Sequence, residues 1–98
     1  MKISNKVPAE IIPVTFDFSE ILPSIDSIVQ VGVNVMTGTD AGSAAMLLGS
    51  PSLAGTSVVQ IVRNGLDGVT YRLYCLVAHG GERYQIDGDM TVKTWHTS

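Results

Sequence analysis

The sequence predicts an all-β fold, a two-sheet sandwich of about seven short strands. Every second residue from 69 to 77 is apolar, and polar residues alternate with apolar ones in residues 83–92, which is the pattern of strands with one buried face. The ten Gly and four Pro lie mostly between such segments, where they mark turns. The longest helix-compatible stretch, residues 41–48, is short and flanked by Gly. The 98 residues suffice for one domain whose core needs no metal or disulfide.

The segment 65–78 is predicted to be a central strand with the turn that leads into it. Leu66, the turn residue Gly68 and Tyr71 precede a run whose alternate residues, Cys75 among them, are apolar. This spacing resembles the tyrosine corner of immunoglobulin-like and fibronectin type III domains, where a Tyr early in the penultimate strand hydrogen-bonds to upstream backbone. The resemblance implies an immunoglobulin-like (fibronectin type III-like) sandwich in which these four residues are structural.

Two strands are predicted in the first third of the chain. The first covers residues 10–18, and Pro13 within it removes a backbone donor, so we expect this strand at a sheet edge. The second covers residues 26–36 and carries a valine at every second position. We expect these valines to pack face to face against the strand that starts at Tyr71.

The alternation is lost in residues 37–55, which are rich in Gly, Ser, Thr and Ala. We expect one or two short edge strands there, around residues 45–48, and a turn at residues 50–52. The regular pattern returns in residues 56–64, which are predicted to form the next strand.

A tight hairpin is predicted at the C-terminal end of the chain. Gly80 and Gly81 suit a two-residue turn that needs positive φ at both positions. The last strand, residues 83–93, alternates cleanly. Its predicted inward side chains are Tyr84, Ile86, Met90 and Val92, with Gly88 in the same phase.

The composition favours protein partners over nucleic acid or a membrane. Charged residues make up 15% of the chain, against about 25% in an average soluble domain, so we expect partner subunits to cover part of the surface. An ordinary domain of low charge is the alternative. The net charge is −3 and the basic residues are scattered, which disfavours nucleic acid. We find no secretory signal and no apolar span of membrane length, and a lone cysteine excludes an intrachain disulfide. We therefore expect no membrane partner.

The residues that could carry chemistry do not form a recognisable set. The one Cys and two His, His79 and His96, are too few and too dispersed for a zinc site. Asp87 and Asp89 lack a loop that would wrap a hard cation. The phase of Cys75 predicts burial, which disfavours a reactive thiol, and neither a Gly-x-Ser-x-Gly elbow nor a phosphate-binding glycine loop is present. We expect no enzymatic activity and no cofactor.

Two regions are candidate contact surfaces. The termini are predicted to be an extended arm, residues 1–9, and a short tail, residues 95–98, on either side of a sandwich formed by residues 10–94. The loop before residue 55 adds an apolar island without core phase. Ordinary edge-strand packing is the alternative for that island. The residues expected to bind partners are Val7, Pro8, Met46, Leu47, Leu48 and Trp95.

Residues 7–10 (VPAE), 14–18 (VTFDF) and 68–73 (GVTYRL) together resemble small immunoglobulin-like virion structural proteins of tailed bacteriophages. The resemblance covers nearly the whole chain, although the early tryptophan of many fibronectin-type domains is missing. It implies a non-enzymatic part of the particle, assembled in the host bacterial cytoplasm, that binds other virion proteins. A homo-oligomer is left open.

Three functions are hypothesised, and the resemblance implies only the first two. The first is a capsid decoration or cement module that binds the major capsid protein. The second is a head–tail connector at the neck or a tail accessory protein. The third is a carbohydrate- or host-surface-binding module that uses Tyr74, Tyr84 and Trp95.

Overall fold

The computed structural model describes residues 6–93, apart from the side chain of Ala44, and within them the all-β prediction is confirmed. Six strands form two antiparallel three-stranded sheets, in the orders β1-β4-β3 and β2-β5-β6. The sequence had predicted about seven strands. The strands are β1 (Ile12–Asp17), β2 (Ser27–Thr37), β3 (Leu47–Ala54), β4 (Ser57–Val62), β5 (Thr70–His79) and β6 (Glu82–Thr91), and a 3₁₀ turn (Ser43–Met46) precedes β3.

The core is filled by alternate residues of both sheets. β5 contributes most, because every second residue from its start is fully buried while the intervening ones are half-buried. Since the buried residues recur at every second position, β5 has one face directed to the core and one directed outward, as its hydrophobic alternation predicts. The fully buried apolar side chains are Phe16, Phe18, Met46, Val58, Val62, Tyr71, Leu73, Cys75, Val77, Met90 and Val92.

The position of β2 differs from the prediction. β2 is hydrogen-bonded beside β5 in the same sheet, so its valines do not face that strand across the core. The register shifts between Ile28 and Gln30, and Val29 in this bulge is 40% exposed. The other valines stay on the inner side because the shift restores the alternation after the bulge. They pair as Val31 with Cys75, Val33 with Leu73 and Val35 with Tyr71.

β1 lies at a sheet edge, as Pro13 predicted, and β3 forms the opposite edge. The turn predicted at residues 50–52 is wrong, since these residues lie inside β3. The hydrogen-bond ladder with β4 is interrupted between Leu48 and Ser52. Pro51, which has no backbone N–H, lies in this interruption, where no donor is needed. The buried amide of Gln60 donates to the carbonyls of Leu48 and Gly49 at 3.3 and 3.2 Å and so stabilises this interruption.

The predicted C-terminal hairpin is confirmed. Gly80 and Gly81 have φ angles of 59° and 83° and connect the paired residues His79 and Glu82. Positive φ at both positions is the geometry whose twist matches that of the flanking strands. β5 and β6 are consequently paired along their whole length.

The first described residues of the predicted arm, residues 6–9, lie against the sandwich. Lys6 makes a parallel bridge with Val92, and the Lys6 amide donates to the carbonyl of Thr91 at 3.0 Å. The Lys93 amide in turn donates to the carbonyl of Lys6 at 2.8 Å. Residues 6–9 are therefore attached to the sandwich at the end of β6. Residues 1–5 and the predicted tail 95–98 lie outside the described residues.

Candidate interaction surface

Tyr71 connects three segments at one end of the sandwich. Its hydroxyl accepts a hydrogen bond from the amide of Leu66 at 2.8 Å and donates one to Asp40 Oδ2 at 2.7 Å. Asp40 Oδ1 also accepts from the Gly42 amide, which holds the loop before β3. Burial, together with the Asp40 carboxylate, raises the pKa of Tyr71. The hydroxyl is thus a neutral structural link at neutral pH.

Gly68 and Cys75 have positions that fit a structural role. Gly68 has a φ of 82°, and its amide donates to the carbonyl of Val92 at 2.8 Å. Cys75 is fully buried, and burial raises the pKa of its thiol to about 11. At neutral pH the thiol is protonated and inaccessible to solvent, so it is neither a nucleophile nor a metal ligand.

Lys6 forms a buried linkage that the sequence did not indicate. Its side chain is fully buried, and Nζ donates to the carbonyl of Asn64 at 2.6 Å. Nζ also donates to the carbonyls of Val7 and Pro8 at 2.9 and 3.1 Å. Desolvation lowers the pKa of Lys6, an effect that the nearby Glu10 carboxylate opposes. Val7 and Pro8, predicted to bind a partner, are half-buried and provide acceptors for this ammonium group.

The outer face of the β1-β4-β3 sheet is the candidate interaction surface. Its residues align in cross-strand rows because cross-strand partners in an antiparallel sheet share a face. One row pairs Ile61 with Pro13 and with Leu48, and the next pairs Val59 with Thr15 and Ser52. We call these six residues the uncharged face. They place apolar and hydroxyl side chains on a flat sheet surface.

The outer face of the other sheet is different in character. Its charged side chains, all from β5 and β6, are Arg72, Arg83, Asp87 and Asp89. Arg72 and Asp89 form a salt bridge at 2.7 Å, which lowers the pKa of Asp89. The centre of the first outer face is therefore uncharged, with Asp17 at the end of β1 on the same side, whereas the second outer face carries charged side chains along β5 and β6.

The apolar island of the sequence is divided among three environments. Met46 is fully buried in the core, so its expected partner contact is incorrect for this structure. Leu47 packs against the core. Only Leu48 lies on the uncharged face. Strand alternation separates Leu47 from Leu48, because consecutive side chains point to opposite sides of β3, whereas Met46 lies in the 3₁₀ turn before this strand. Trp95 lies outside the described residues.

The two tyrosines proposed for sugar binding do not form one platform. Tyr74 lies on the outer face of the β2-β5-β6 sheet, whereas Tyr84 packs against the core and its hydroxyl donates to Glu82 at 2.7 Å. Flat stacking of a sugar requires aromatic rings on one accessible surface. The geometry therefore gives the carbohydrate function no support.

Within residues 6–93 no group of three or more His, Cys, Asp or Glu side chains is arranged to hold a metal. The same residues contain no helix of a length and hydrophobicity that would span a bilayer. The described residues form a small all-β domain with two different outer sheet faces, and a fold of this kind does not by itself define a function.

A comparison with known protein families identifies the family of this chain. The chain belongs to the family described as podophage GP4 fiber-tail adaptor protein gp77, whose model matches residues 6–93. Neither the curated proteins nor the solved structures contain a match. The protein is thus a structural component of a phage virion, assembled in the host cell. The family indicates an accessory role at the tail, so the expectation of capsid decoration is not supported.

Proposed function

We propose that this chain is a tail accessory protein that joins a fibre to the tail of a podophage particle through protein–protein contacts, without catalysis. The observation that carries the proposal is the family match over residues 6–93. The uncharged face supplies a surface suited to such a contact. Its central residue, Ile61, is 36% exposed although it lies in the middle strand of its sheet.

The uncharged face is too small to form a stable interface by itself. Two outward residues on each of three strands cover roughly 14 by 13 Å, or about 180 Å², at ordinary strand spacing and rise. A stable pairwise interface buries about 800 Å² on each partner. We infer that the face contributes one part of a larger contact, and that repetition of the contact by the symmetry of the tail strengthens attachment.

We further propose that the fold has immunoglobulin-like topology. The strand orders β1-β4-β3 and β2-β5-β6 correspond to B-E-D and C-F-G of the immunoglobulin sandwich, with β1 in the place of strand B. Tyr71 then lies near the start of the strand equivalent to F, where the tyrosine corner occurs. An experimental structure in which β1 pairs with β2 would contradict this assignment.

Substitution on the uncharged face tests the adaptor function. Ile61→Lys places a charge at the centre of the face while leaving the core intact, because the side chain points outward. Val29→Lys is the matched control, since Val29 is a β-branched residue of similar exposure, 40%, on the other sheet. Particles would be assembled with each variant, and the amounts of this chain and of fibre per purified particle measured by quantitative mass spectrometry.

We expect particles carrying Ile61→Lys to lose most of both the chain and the fibre, while Val29→Lys particles keep wild-type amounts. Equal incorporation of the two variants would show that the uncharged face is not part of the interface. Electron cryomicroscopy of wild-type particles tests the location independently. Density for this chain on the capsid shell instead of the tail would overturn the proposed function.

A further inference from the structure

We propose that β6 pairs with β6 of a second copy of this chain about a two-fold axis at Gln85, so that two β2-β5-β6 sheets become one continuous sheet. The inference goes beyond the adaptor function and does not rest on the uncharged face. It depends on the edge of β6, the backbone groups at that edge and the charges that accompany them.

β6 differs from the other three edge strands of the sandwich. β1 carries Pro13, β3 is interrupted around Pro51, and β2 has register shifts at both ends. Proline and bulges are devices that prevent strands of other chains from adding to an edge. β6 is paired with β5 over ten consecutive residues with no register shift anywhere along its described length. It is the regular edge that an added strand needs.

The backbone groups of β6 that face outward can be assigned from the hydrogen bonds at its end. Val92 exchanges bonds with the β5 side, donating to Val69 and accepting from Gly68. The carbonyl of Thr91 and the amide of Lys93 instead bond to Lys6 on the outer side. Since the direction alternates along an unbroken ladder, the odd-numbered residues of β6 present their amides and carbonyls to the outer edge. Within residues 6–93, no backbone hydrogen bond reaches that edge at residues 83, 85 and 87.

The side chains of these same residues form a self-complementary pattern. Arg83, Gln85 and Asp87 are exposed, and their side chains are positive, neutral and negative in that order. Asp89 is already engaged by Arg72 at 2.7 Å, whereas the described part of the chain provides no ion pair for Arg83 or Asp87. An antiparallel pairing centred on Gln85 sets Arg83 of each copy opposite Asp87 of the other. All three facing pairs are then hydrogen-bonded pairs, giving about six backbone bonds, two for each pair.

The register centred on Gln85 also fits the available length. Glu82, the first residue of β6, would oppose Gly88 of the second copy, so the overlap ends before Thr91, where Lys6 already occupies the edge. An axis at Asp87 would set two aspartates opposite each other, which is unfavourable. An axis at Ile86 would direct Arg83 to Asp89, whose charge is already paired with Arg72.

Charge exchange tests the pairing and its register in the full-length protein. Self-association would be measured by sedimentation velocity over a range of concentrations for wild type, Arg83→Asp, Asp87→Arg and the double exchange. Each single change sets like charges opposite each other and is expected to weaken association by about tenfold, and the double exchange to restore it to within about threefold of wild type. Asp67→Arg, a reversal in an exposed loop, is the control and should leave association unchanged.

Gln85→Pro tests the backbone contribution. Its amide points away from β5, so proline removes a donor from the outer edge while the β5–β6 ladder keeps its bonds. We expect the variant to be monomeric and to stay folded, with a cooperative thermal transition. A monomeric wild type would overturn the proposal and leave the edge to another occupant, either a strand of another virion protein or the first five residues of the chain. Association that survives Gln85→Pro, or that the double exchange fails to restore, would also overturn it.

Discussion

Lys6 Nζ donates a 2.6 Å hydrogen bond to the carbonyl oxygen of Asn64, 58 residues further along the chain. This bond fixes the N-terminal segment to the loop that leads into β5. A buried ammonium group is tolerated only when its donors are satisfied, and here the carbonyls of Val7 and Pro8 complete the set. Residues 6–8 are therefore part of the folded domain.

Replacement of Lys6 by methionine should destabilise the domain. Methionine preserves most of the aliphatic volume but leaves three carbonyls without their donor, so we expect a loss of about 1–3 kcal/mol in the free energy of unfolding. Urea denaturation measures this loss, with the m-value unchanged. Lys93→Met is the control and should stay within about 0.5 kcal/mol of wild type. Equal stability of the two variants would show that the buried ammonium makes no net contribution.

Removal of the Tyr71 hydroxyl should weaken the corner without opening a cavity. In Tyr71→Phe the ring still fills the core, but the amide of Leu66 and the carboxylate of Asp40 lose their common partner. We expect a loss of about 1–2 kcal/mol, measured by thermal and urea unfolding. In Tyr84→Phe the lost bond, to Glu82, is exposed, and the change should be small. A larger effect at Tyr84 would contradict the importance of the corner.

Alkaline pH should destabilise the fold through Cys75. Burial raises the pKa of this thiol from 9.0 to about 11, so the unfolded chain loses its proton at a lower pH than the native protein. Below pH 9 both states are protonated and the group has no effect. Between these two pKa values the unfolded state binds fewer protons, and stability falls by about 2–3 kcal/mol in all.

The measurement is the free energy of unfolding as a function of pH in wild type and in Cys75→Val. The variant should show a shallower decline across the alkaline range. Tyr71, whose pKa is also raised, contributes a further decline in both proteins above the ordinary tyrosine pKa. Identical slopes for the two proteins would show that the thiol is not the titrating group.

The elements that the sequence predicted well are those in which local alternation coincides with burial. β5 and β6 each keep a period of two over ten residues, and Gly80 and Gly81 define the turn between them. Tyr71 could be singled out because its partner, Leu66, lies only five residues upstream. Local pattern is sufficient where strands and partners are adjacent in the chain.

The features that the sequence did not predict depend on contacts between distant segments. The acceptor of Lys6 is 58 residues away, and a lysine in a polar N-terminal segment gives no indication of burial. Residues 50–52 resemble a turn, yet β3 continues through them because the amide of Gln60 supports its interrupted ladder. The uncharged face became visible only when pairing placed Pro13 and Leu48 beside Ile61. Pairing partners cannot be read from the period of a single strand.

Gly32 and Tyr74 form a pair whose energetics should be strongly coupled. The two residues face each other across β2 and β5, and a Cβ built on Gly32 would lie 2.2 Å from Cζ of Tyr74. The ring thus covers the glycine, and its hydroxyl accepts a 3.1 Å hydrogen bond from Gln30. Gly32→Ala must displace this ring. We expect that the displacement outweighs the gain of about 0.5–1 kcal/mol that alanine otherwise brings to a strand position.

A double-mutant cycle with Tyr74→Thr tests this coupling. Alone, Gly32→Ala should lower the free energy of unfolding by about 1 kcal/mol, as overpacking does. In the Tyr74→Thr background no ring has to move, and the same change should be neutral or stabilising. The coupling energy, from urea unfolding of the four proteins, is expected to be about 1–2 kcal/mol. Additive effects would show that the ring is free to leave Gly32 without cost, contrary to the close contact between the two residues.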